Sequence, residues 1–370
     1  MKVVFLQKTT DAQGGSKASL RNTLRVLSEQ PDMEVELLAA APGPLTAFAE
    51  SLSIPVLIAP FPRWRNAVDR LFFNRTMRKF AKSIVGADWI VSNEMWWAPH
   101  AAALAKYCGA RSAAIIRDEI ADLEKSYQYN FQELDQIIAV SGDLKAQLQG
   151  DAKLFDRTRT IYNIVGRPES DAAVTAQLDV LCGGYPKVKR WILSAGTICP
   201  RKDPILAVQG LAELARRSDE DTGLLFVGGS DGSGYEEQLR REVQAHGLED
   251  RVAFAGQVSG IGSALDRAAA FLLTSHSEGL PRVLIEAGLA QVPSLSTKVS
   301  GVDEVYGSNS SDHVLSARDP IELADKLGLI LNKLDDGELQ SKASEMEERY
   351  SESSHVNSWR SFLPCAFVSD

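Results

Sequence analysis

The chain has 370 residues, 44% hydrophobic and 24% charged. That composition excludes a disordered, collagen-like or fibrous protein, and the length exceeds one ordinary hydrophobic core, so two domains are expected. The 49 acidic and 40 basic side chains give a net charge of −9, which argues against a bulk electrostatic grip on nucleic acid. Cys108, Cys182, Cys199 and Cys365 are far apart and form no CxxC pair, which excludes a disulfide scaffold and a structural zinc site of the usual spacing.

At the N-terminus a single lysine, Lys2, precedes a short apolar run that ends before Gln7, with no small-residue cleavage site, so the segment does not read as a secretion signal. No segment is long and apolar enough to span a bilayer, and a cytoplasmic location is expected. Val3–Leu6 opens a series of short apolar runs: Val35–Ala40, Val56–Ala59, Trp89–Ser92, Ala113–Ile116, Ile137–Val140 and Thr160–Tyr162. Runs apolar on both faces suit central strands of a parallel sheet. Helical patterns lie between them, at Ser16–Leu27, Pro44–Ser53, Arg65–Val85, Pro99–Tyr107, Ile120–Leu134 and Leu144–Gln149. This alternation predicts a doubly wound α/β domain over residues 1–165.

Residues 166–189 are richer in Gly and Pro and read as an interdomain linker. The alternation then resumes over 190–350. Its expected strands are Trp191–Ala195, Leu224–Val227, Val252–Ala255, Phe271–Thr274, Ser294–Ser296 and His313–Leu315. Its expected helices are Pro204–Arg217, Tyr235–Ala245, Gly262–Ala269, Pro281–Ala290, Pro320–Leu334 and Glu338–Arg349. Residues 351–370 contain a last helix, Val356–Phe367, that either returns to the first domain or ends the second. In open α/β sheets ligands bind beyond the carboxyl ends of the strands, so the loops there are where chemistry is sought.

Four loops qualify. Gly14 and Gly15, after Gln13, could let a phosphate approach a helix start, or could simply form a turn; the pattern is not GxGxxG, so no nicotinamide dinucleotide site is indicated. Arg201 and Lys202 precede a helix that opens with Pro204, and are either a diphosphate-facing pair or a solvated basic pair. Gly228, Gly229, Gly232 and Gly234 mark a tight turn after the Leu224–Val227 run, able to lie against a base or ribose or to serve as a plain connection. The fourth loop is the most informative. Glu278, Gly279, Leu280 and Pro281 follow a strand directly, and Glu286 stands eight residues after Glu278, inside the next helix.

The segment Glu278–Glu286 resembles the E-x7-E motif of retaining family 4 glycosyltransferases. Gly14-Gly15, Ala41–Leu45, Ile137–Ser141, Ile161–Asn163, Val227–Gly229 and Val252–Gly256 resemble family segments in the same order. The resemblance implies the GT-B fold: two Rossmann-like doubly wound domains facing across a cleft. It implies ribose binding by Glu286, donor-sugar contact by Glu278 with the amides of Gly279 and Leu280, and diphosphate binding by Arg201, Lys202 and Gly15. Gly14, Gly196, Thr197, Gly228, Gly229 and Pro281 join this expected donor site. Cations and amide dipoles can neutralise a leaving diphosphate, so no metal or other cofactor is expected. The implied activity is retaining transfer from a nucleotide diphosphate sugar to a glycan or lipid-linked saccharide in surface polysaccharide synthesis.

Two departures from the family pattern stand out. Thr197 follows Gly196 where the family often has arginine, and Arg117-Asp118 stand where it often has histidine. Arg117 cannot act as a base at neutral pH; Asp118 could. Two rival readings are a nucleotide-sugar 2-epimerase of the same fold and a non-catalytic sugar-nucleotide-binding protein.

Residues 63–82 hold seven basic side chains (Arg63, Arg65, Arg70, Arg75, Arg78, Lys79, Lys82) and one acid, Asp69, a local charge of +6. With Trp64, Val68, Leu71 and Phe72 at helical spacing, the segment reads either as a core helix with a solvated basic face or as a helix on an anionic membrane; the first is favoured. Trp96, Trp97 and His100 could stack on an acceptor sugar or pack beneath a loop. His276 is a weaker donor-side candidate, and Ser141 and Asp143 read as a helix cap. The sequence leaves the base, sugar, acceptor and oligomeric state open.

Overall fold

A computed structural model describes residues 1–11, 14–59, 61–64, 67–120, 123–217, 221–307, 310–332 and 336–363. Of the positions named above, Gln13, Arg65, Cys365 and Phe367 lie outside the described residues, as does the end of the helix expected to reach Leu334. The chain divides into two compact units, Met1–Ile164 with the segment beginning at Tyr350, and Val165–Arg349.

In the first unit the elements are β1 (Lys2–Gln7), α1 (Gly15–Ser28), β2 (Glu34–Ala39), α2 (Pro44–Ser51), β3 (Val56–Ile58), α3 (Ala67–Ala81), β4 (Trp89–Ser92), α4 (Ala98–Cys108), β5 (Arg111–Ile116), α5 (Leu123–Gln128), β6 (Gln136–Ala139), α6 (Gly142–Ala146), α7 (Ala152–Asp156) and β7 (Thr158–Thr160). All seven strands pair in parallel, in the order β3-β2-β1-β4-β5-β6-β7. Val3, Val4, Phe5 and Leu6 are fully buried, as a strand covered on both faces requires.

Three expectations are corrected here. The helix expected over Ile120–Leu134 is the short α5 and a separate 3-10 turn, Phe131–Glu133, because Asn130 takes a left-handed conformation (φ 60°) between them. The strand expected at Thr160–Tyr162 lies two residues earlier, after α7, whose Asp151 cap accepts from the amides of Lys153 (2.9 Å) and Leu154 (3.2 Å). The buried stripe of α3 is Phe73, Met77 and Ala81, not the one containing Val68 and Phe72, which are 68% and 63% exposed. Ser141 does cap α6, accepting from the Leu144 amide at 3.2 Å.

In the second unit the elements are α8 (Ala172–Gly183), β8 (Arg190–Ala195), α9 (Pro204–Arg216), β9 (Thr222–Val227), α10 (Tyr235–Ala245), β10 (Val252–Phe254), α11 (Gly262–Leu265), β11 (Ala268–Leu273), α12 (Arg282–Leu289), β12 (Ser294–Ser296), α13 (Val302–Tyr306), α14 (Ser310–His313), α15 (Pro320–Asn332) and α16 (Asp336–Arg349). Five parallel strands take the order β10-β9-β8-β11-β12. The stretch expected as a linker holds α8, capped by Asp171 and tied to α11 through Ser263, which accepts from the Asp171 amide at 2.9 Å. The expected helix Gly262–Ala269 stops after four residues, since Ala268 opens β11. The expected strand His313–Leu315 is one bridge between Val314 and Ser296.

The last helix, α17 (Glu352–Phe362), belongs to the first unit. Trp359 packs edge-on to Phe5 at 5.4 Å and Phe362 against Trp89 at 4.9 Å. His355 fastens it. Nδ1 donates to the Tyr162 carbonyl (2.7 Å), and Nε2 accepts from the Trp359 indole (3.0 Å) and lies 3.1 Å from the Thr23 hydroxyl. That pattern requires a neutral ring.

Burial lowers the pKa of His355, and of His100, from the ordinary 6.5 to about 4. The unfolded chain therefore takes up protons first, and the stability present above pH 6.5 is lost as pH falls towards 4. Each histidine contributes a loss of about 2 kcal/mol by pH 5. The urea midpoint is expected to fall between pH 7 and pH 5, and His355→Gln to flatten that slope. A midpoint constant across this window would contradict the assignment of neutral, buried rings.

Candidate functional site

In the second unit the strand order reverses between β8 and β11, and a crevice opens beyond the carboxyl ends of strands at such a point. The loops that follow these two strands are bonded together there. The His276 amide donates to the Arg201 carbonyl (2.7 Å) and the Thr274 hydroxyl to the Lys202 carbonyl (3.0 Å). The structure thus brings Arg201, Lys202 and Glu278 into one cluster. Glu278 Oε1 accepts from Lys202 Nζ at 2.6 Å and from the Ser275 hydroxyl at 2.6 Å, with Arg201 Nη1 at 3.5 Å. Arg201 also donates to the Ser277 carbonyl (2.8 Å), and its side chain remains half exposed.

Two residues that sequence reasoning missed hold this cluster. Asp203 ends the 3-10 turn Pro200–Lys202 with φ 42° and ψ 58°, a conformation that costs a non-glycine residue about 1–3 kcal/mol. Arg318 secures it by an ion pair to the Asp203 carboxylate, while donating to the carbonyls of Thr274 (2.7 Å) and Ser275 (3.0 Å). The Tyr235 hydroxyl reaches the same aspartate at 3.5 Å, and burial together with that carboxylate pushes its pKa up to about 12. The His276 ring lies 3.6 Å from Asp203 and is more than half exposed.

Gly196 and Gly228 make the loops after β8 and β9 touch. A Cβ on Gly228 (φ 144°) would lie 2.0 Å from the Gly196 carbonyl oxygen, and a Cβ on Gly196 (φ 146°) would press on the Lys202 stem at 3.3 Å. The Ile198 amide donates to the Gly229 carbonyl at 2.9 Å. Thr197 is exposed at the tip of this arrangement. Leu280 and Pro281 are buried, and Pro281 stands just before α12, one residue earlier than the first-turn position expected. Glu286 lies inside α12. Burial raises its pKa, opposed by Arg282 Nη2 at 3.7 Å.

The remaining predicted residues lie in the first unit. Gly14 caps α1 and Gly15 opens it. Arg117 follows β5 and donates to the Asn93 carbonyl (3.0 Å), the Asn93 amide oxygen (2.7 Å) and Asn163 (2.7 Å). Asn93 in turn donates to Gln7 (2.6 Å), whose amide reaches Glu94 (3.3 Å), and Ser16 also donates to Glu94 (3.0 Å). Gln7 and Asn93 are fully buried, and nothing in the sequence singled them out beyond polar residues ending apolar strands. Asp118 is exposed. Trp96 and Trp97 sit on a 3-10 turn after β4, Trp96 against Tyr129 at 5.0 Å and Trp97 beneath Lys8 Nζ at 4.6 Å.

Among the described residues no His, Cys, Asp and Glu side chains group as a metal site, and no helix is long and apolar enough to cross a membrane.

Similarity to known proteins follows the same geography. Residues 184–350, which hold the Glu278 cluster, match the family model of glycosyl transferases group 1. The chain aligns along 98% of its length with Anabaena Alr3699/HepE solved with UDP and glucose, covering 99% of that chain at TM-score 0.79 and 17% identity. The fold is GT-B. The Rickettsia africae glycosyltransferase shares it, at TM-score 0.79 and 15% identity over 100% of this chain and 99% of that one. By sequence, a Campylobacter jejuni N-acetylgalactosaminyltransferase acting on an undecaprenyl diphosphate saccharide is 30% identical over 38% of this chain and 38% of its own length. Bacillus anthracis N-acetyl-α-D-glucosaminyl L-malate synthase is 26% identical over 55% of this chain and 52% of its own. The chain thus spans about half or less of the length of these two sequence relatives.

Gly228→Ala tests the loop contact in this GT-B unit. The added methyl must push two backbones apart, and we expect a loss of about 2 kcal/mol or more in chemical denaturation. A variant as stable as the parent would mean the loops do not touch.

Proposed function

We propose that the protein is a retaining glycosyltransferase that moves a sugar from a nucleotide diphosphate donor to a hydroxyl of a glycan or lipid-linked saccharide, in surface polysaccharide synthesis at the inner face of the membrane. The carrying observation is the Glu278–Lys202–Arg201 cluster at the switch point of β8 and β11, within the stretch matching group 1 glycosyl transferases. The UDP and UDP-glucose named in the HepE complexes make a UDP-sugar the first donor to test.

On this reading Glu286 accepts from the ribose hydroxyls, and Lys202 and Arg201 receive the diphosphate, with Gly14 and Gly15 contributing backbone donors. Gly196, Thr197, Gly228 and Gly229 border the nucleotide, and Gly279, Leu280 and Pro281 shape the loop that carries Glu278. The sugar–phosphate bond breaks as the acceptor oxygen bonds to the same face of the anomeric carbon, and the acceptor proton passes to the departing diphosphate. Glu278 already accepts from Lys202 and Ser275, which makes it a poor nucleophile and suits it to orienting the sugar. Lys202 and Arg201 neutralise the charge that grows on the leaving group, without a metal. Arg117, bonded to Asn93 and Asn163, positions the acceptor side, with exposed Asp118 next to it in the chain.

A panel of uridine, guanosine, adenosine, thymidine and cytidine diphosphate sugars, with chelator present, checks this reading. One of them is expected to raise the melting temperature and release its diphosphate. Lys202→Ala should lower turnover about 100-fold. Glu286→Ala should weaken nucleotide binding, and Glu278→Ala should reduce turnover more than binding. Isomerisation of the donor without acceptor would favour a 2-epimerase, and binding without release in the presence of acceptor a non-catalytic protein.

The outward side of α3 supports the membrane part of the proposal. Val68 and Phe72 are exposed one turn apart, beside exposed Arg75, Arg78 and Lys79. Apolar side chains flanked by cations suit an anionic bilayer surface. Sedimentation with phosphatidylglycerol vesicles, but not with phosphatidylcholine vesicles, is expected, and Phe72→Asp with Lys79→Glu should abolish it. Equal binding to both vesicles would remove this contact from the proposal.

A further inference from the structure

The first unit contains a cavity of about 970 Å3 at the carboxyl ends of its strands, at the upper end of the range for small-molecule sites. Its chemistry is one-sided. Lys8, Arg63 and Arg70 line it, and among the described residues no aspartate or glutamate does, in a chain whose net charge is −9. None of the three cations is paired with a carboxylate among the described residues. Two of them are instead held over aromatic rings, Lys8 at 4.6 Å from the Trp97 centroid and Arg70 at 4.3 Å from that of Trp64. A ring face fixes a cation while leaving its N–H donors unspent. Three like charges around one cavity repel one another, and an anion would relieve that repulsion.

A second observation is independent of charge. His100 lines the same cavity and is 3% exposed. Its Nε2 lies 3.0 Å from the Pro62 carbonyl, which can only accept, so Nε2 carries the proton and Nδ1 is an acceptor. That buried Nδ1 has no hydrogen-bond partner. An unpaired buried acceptor is costly, and a hydroxyl from a ligand would satisfy it. The wall around it is aromatic: Phe61 stacks on His100 at 5.3 Å, and Trp97 meets it edge-on at 5.2 Å. Cations for a phosphate, an acceptor for a hydroxyl and flat rings for a pyranose together describe one kind of ligand.

We propose that this cavity binds a phosphate-bearing saccharide, its phosphate or diphosphate on Lys8, Arg63 and Arg70 and its ring against the aromatic wall. Resting on the transferase reading, this saccharide is the acceptor, and it is anionic. The site is separate from the Arg201–Lys202 pair of the second unit, so each can be tested without the other.

The test is quenching of tryptophan fluorescence by glucose, inorganic phosphate, glucose 6-phosphate and a short-chain isoprenyl diphosphate glucose, with UDP as the reference for the donor site. One or both phosphate-bearing saccharides are expected to bind at least tenfold more tightly than glucose or inorganic phosphate. Tighter binding of the isoprenyl compound identifies a lipid-linked source, and tighter binding of glucose 6-phosphate a soluble one. Arg63→Gln with Arg70→Gln should cost at least tenfold for these ligands and leave UDP affinity unchanged. Equal affinity for glucose and the phosphate-bearing saccharides, or no effect of the double variant on them, would overturn the proposal. Saccharide phosphate binding without any nucleotide binding would retain the site and defeat the transferase reading instead.

Discussion

Parallel strand pairing is the constraint on which the rest of this structure depends. Because every pair in both sheets is parallel, each strand delivers its carboxyl end, and each following helix its amino end, to the same edge of its unit. Strands such as β1 and β9 are buried on both faces and carry almost no chemistry. A bonded group of polar residues gathers at that edge of the first unit. Gln7 ends β1, Asn93 follows β4 and Arg117 follows β5, and the three are bonded into one network. In the second unit Thr274 follows β11 and bonds the loop after β8.

How much of this was legible from sequence depended on whether a feature is local. Every strand except β7 was visible as a short run in the sequence, since strands buried on both faces leave no alternation to misread; β7, Thr158-Arg159-Thr160, has no apolar residue and was expected two residues too late. The Glu278 loop was visible because strand, loop and helix are contiguous. The α8 helix was hidden in an expected linker because it buries only Val174 and Leu178 and is flanked by glycines that resemble a loop. Arg318 could not be found at all. It stands 115 residues from Asp203, and only the completed fold brings the two together. The stripe of α3 was misassigned because Phe72 and Phe73 are adjacent and periodicity alone could not say which faces α4.

The return of α17 makes the first unit discontinuous in sequence, and its chemistry shows how strongly the chain is tied back. Trp359 reaches Phe5 in the central strand, and the Trp89 indole donates to the Leu363 carbonyl at 3.3 Å. Outside that apolar contact, Arg25 pairs with Glu352 and Arg360 with Asp32. Exposed pairs of this kind contribute about 0–1 kcal/mol, so the register of the helix is set by the aromatic contact and by His355, not by the charges. His355 has every ring nitrogen partnered, so burial and hydrogen bonding act together to keep it neutral.

The two sets of cations at the strand ends differ in one respect that bears on what each can do. Lys202 and Arg201 share a carboxylate, Glu278, carried on the neighbouring loop, so half of their charge is already offset and their positions are fixed before anything binds. A diphosphate arriving there must compete with Glu278 for the same donors, and on the proposed reading that competition turns the carboxylate towards the sugar. Lys8 and Arg70 are held by rings instead. A ring offers a cation position without neutralising it, so the field in that cavity stays positive. Fixed, partly compensated charge suits stabilising a group that becomes more negative as a bond breaks, because the donors need no rearrangement. Uncompensated charge suits capture, because the gain is realised on arrival. The structure therefore separates the two tasks by the company each cation keeps, not by the number of cations.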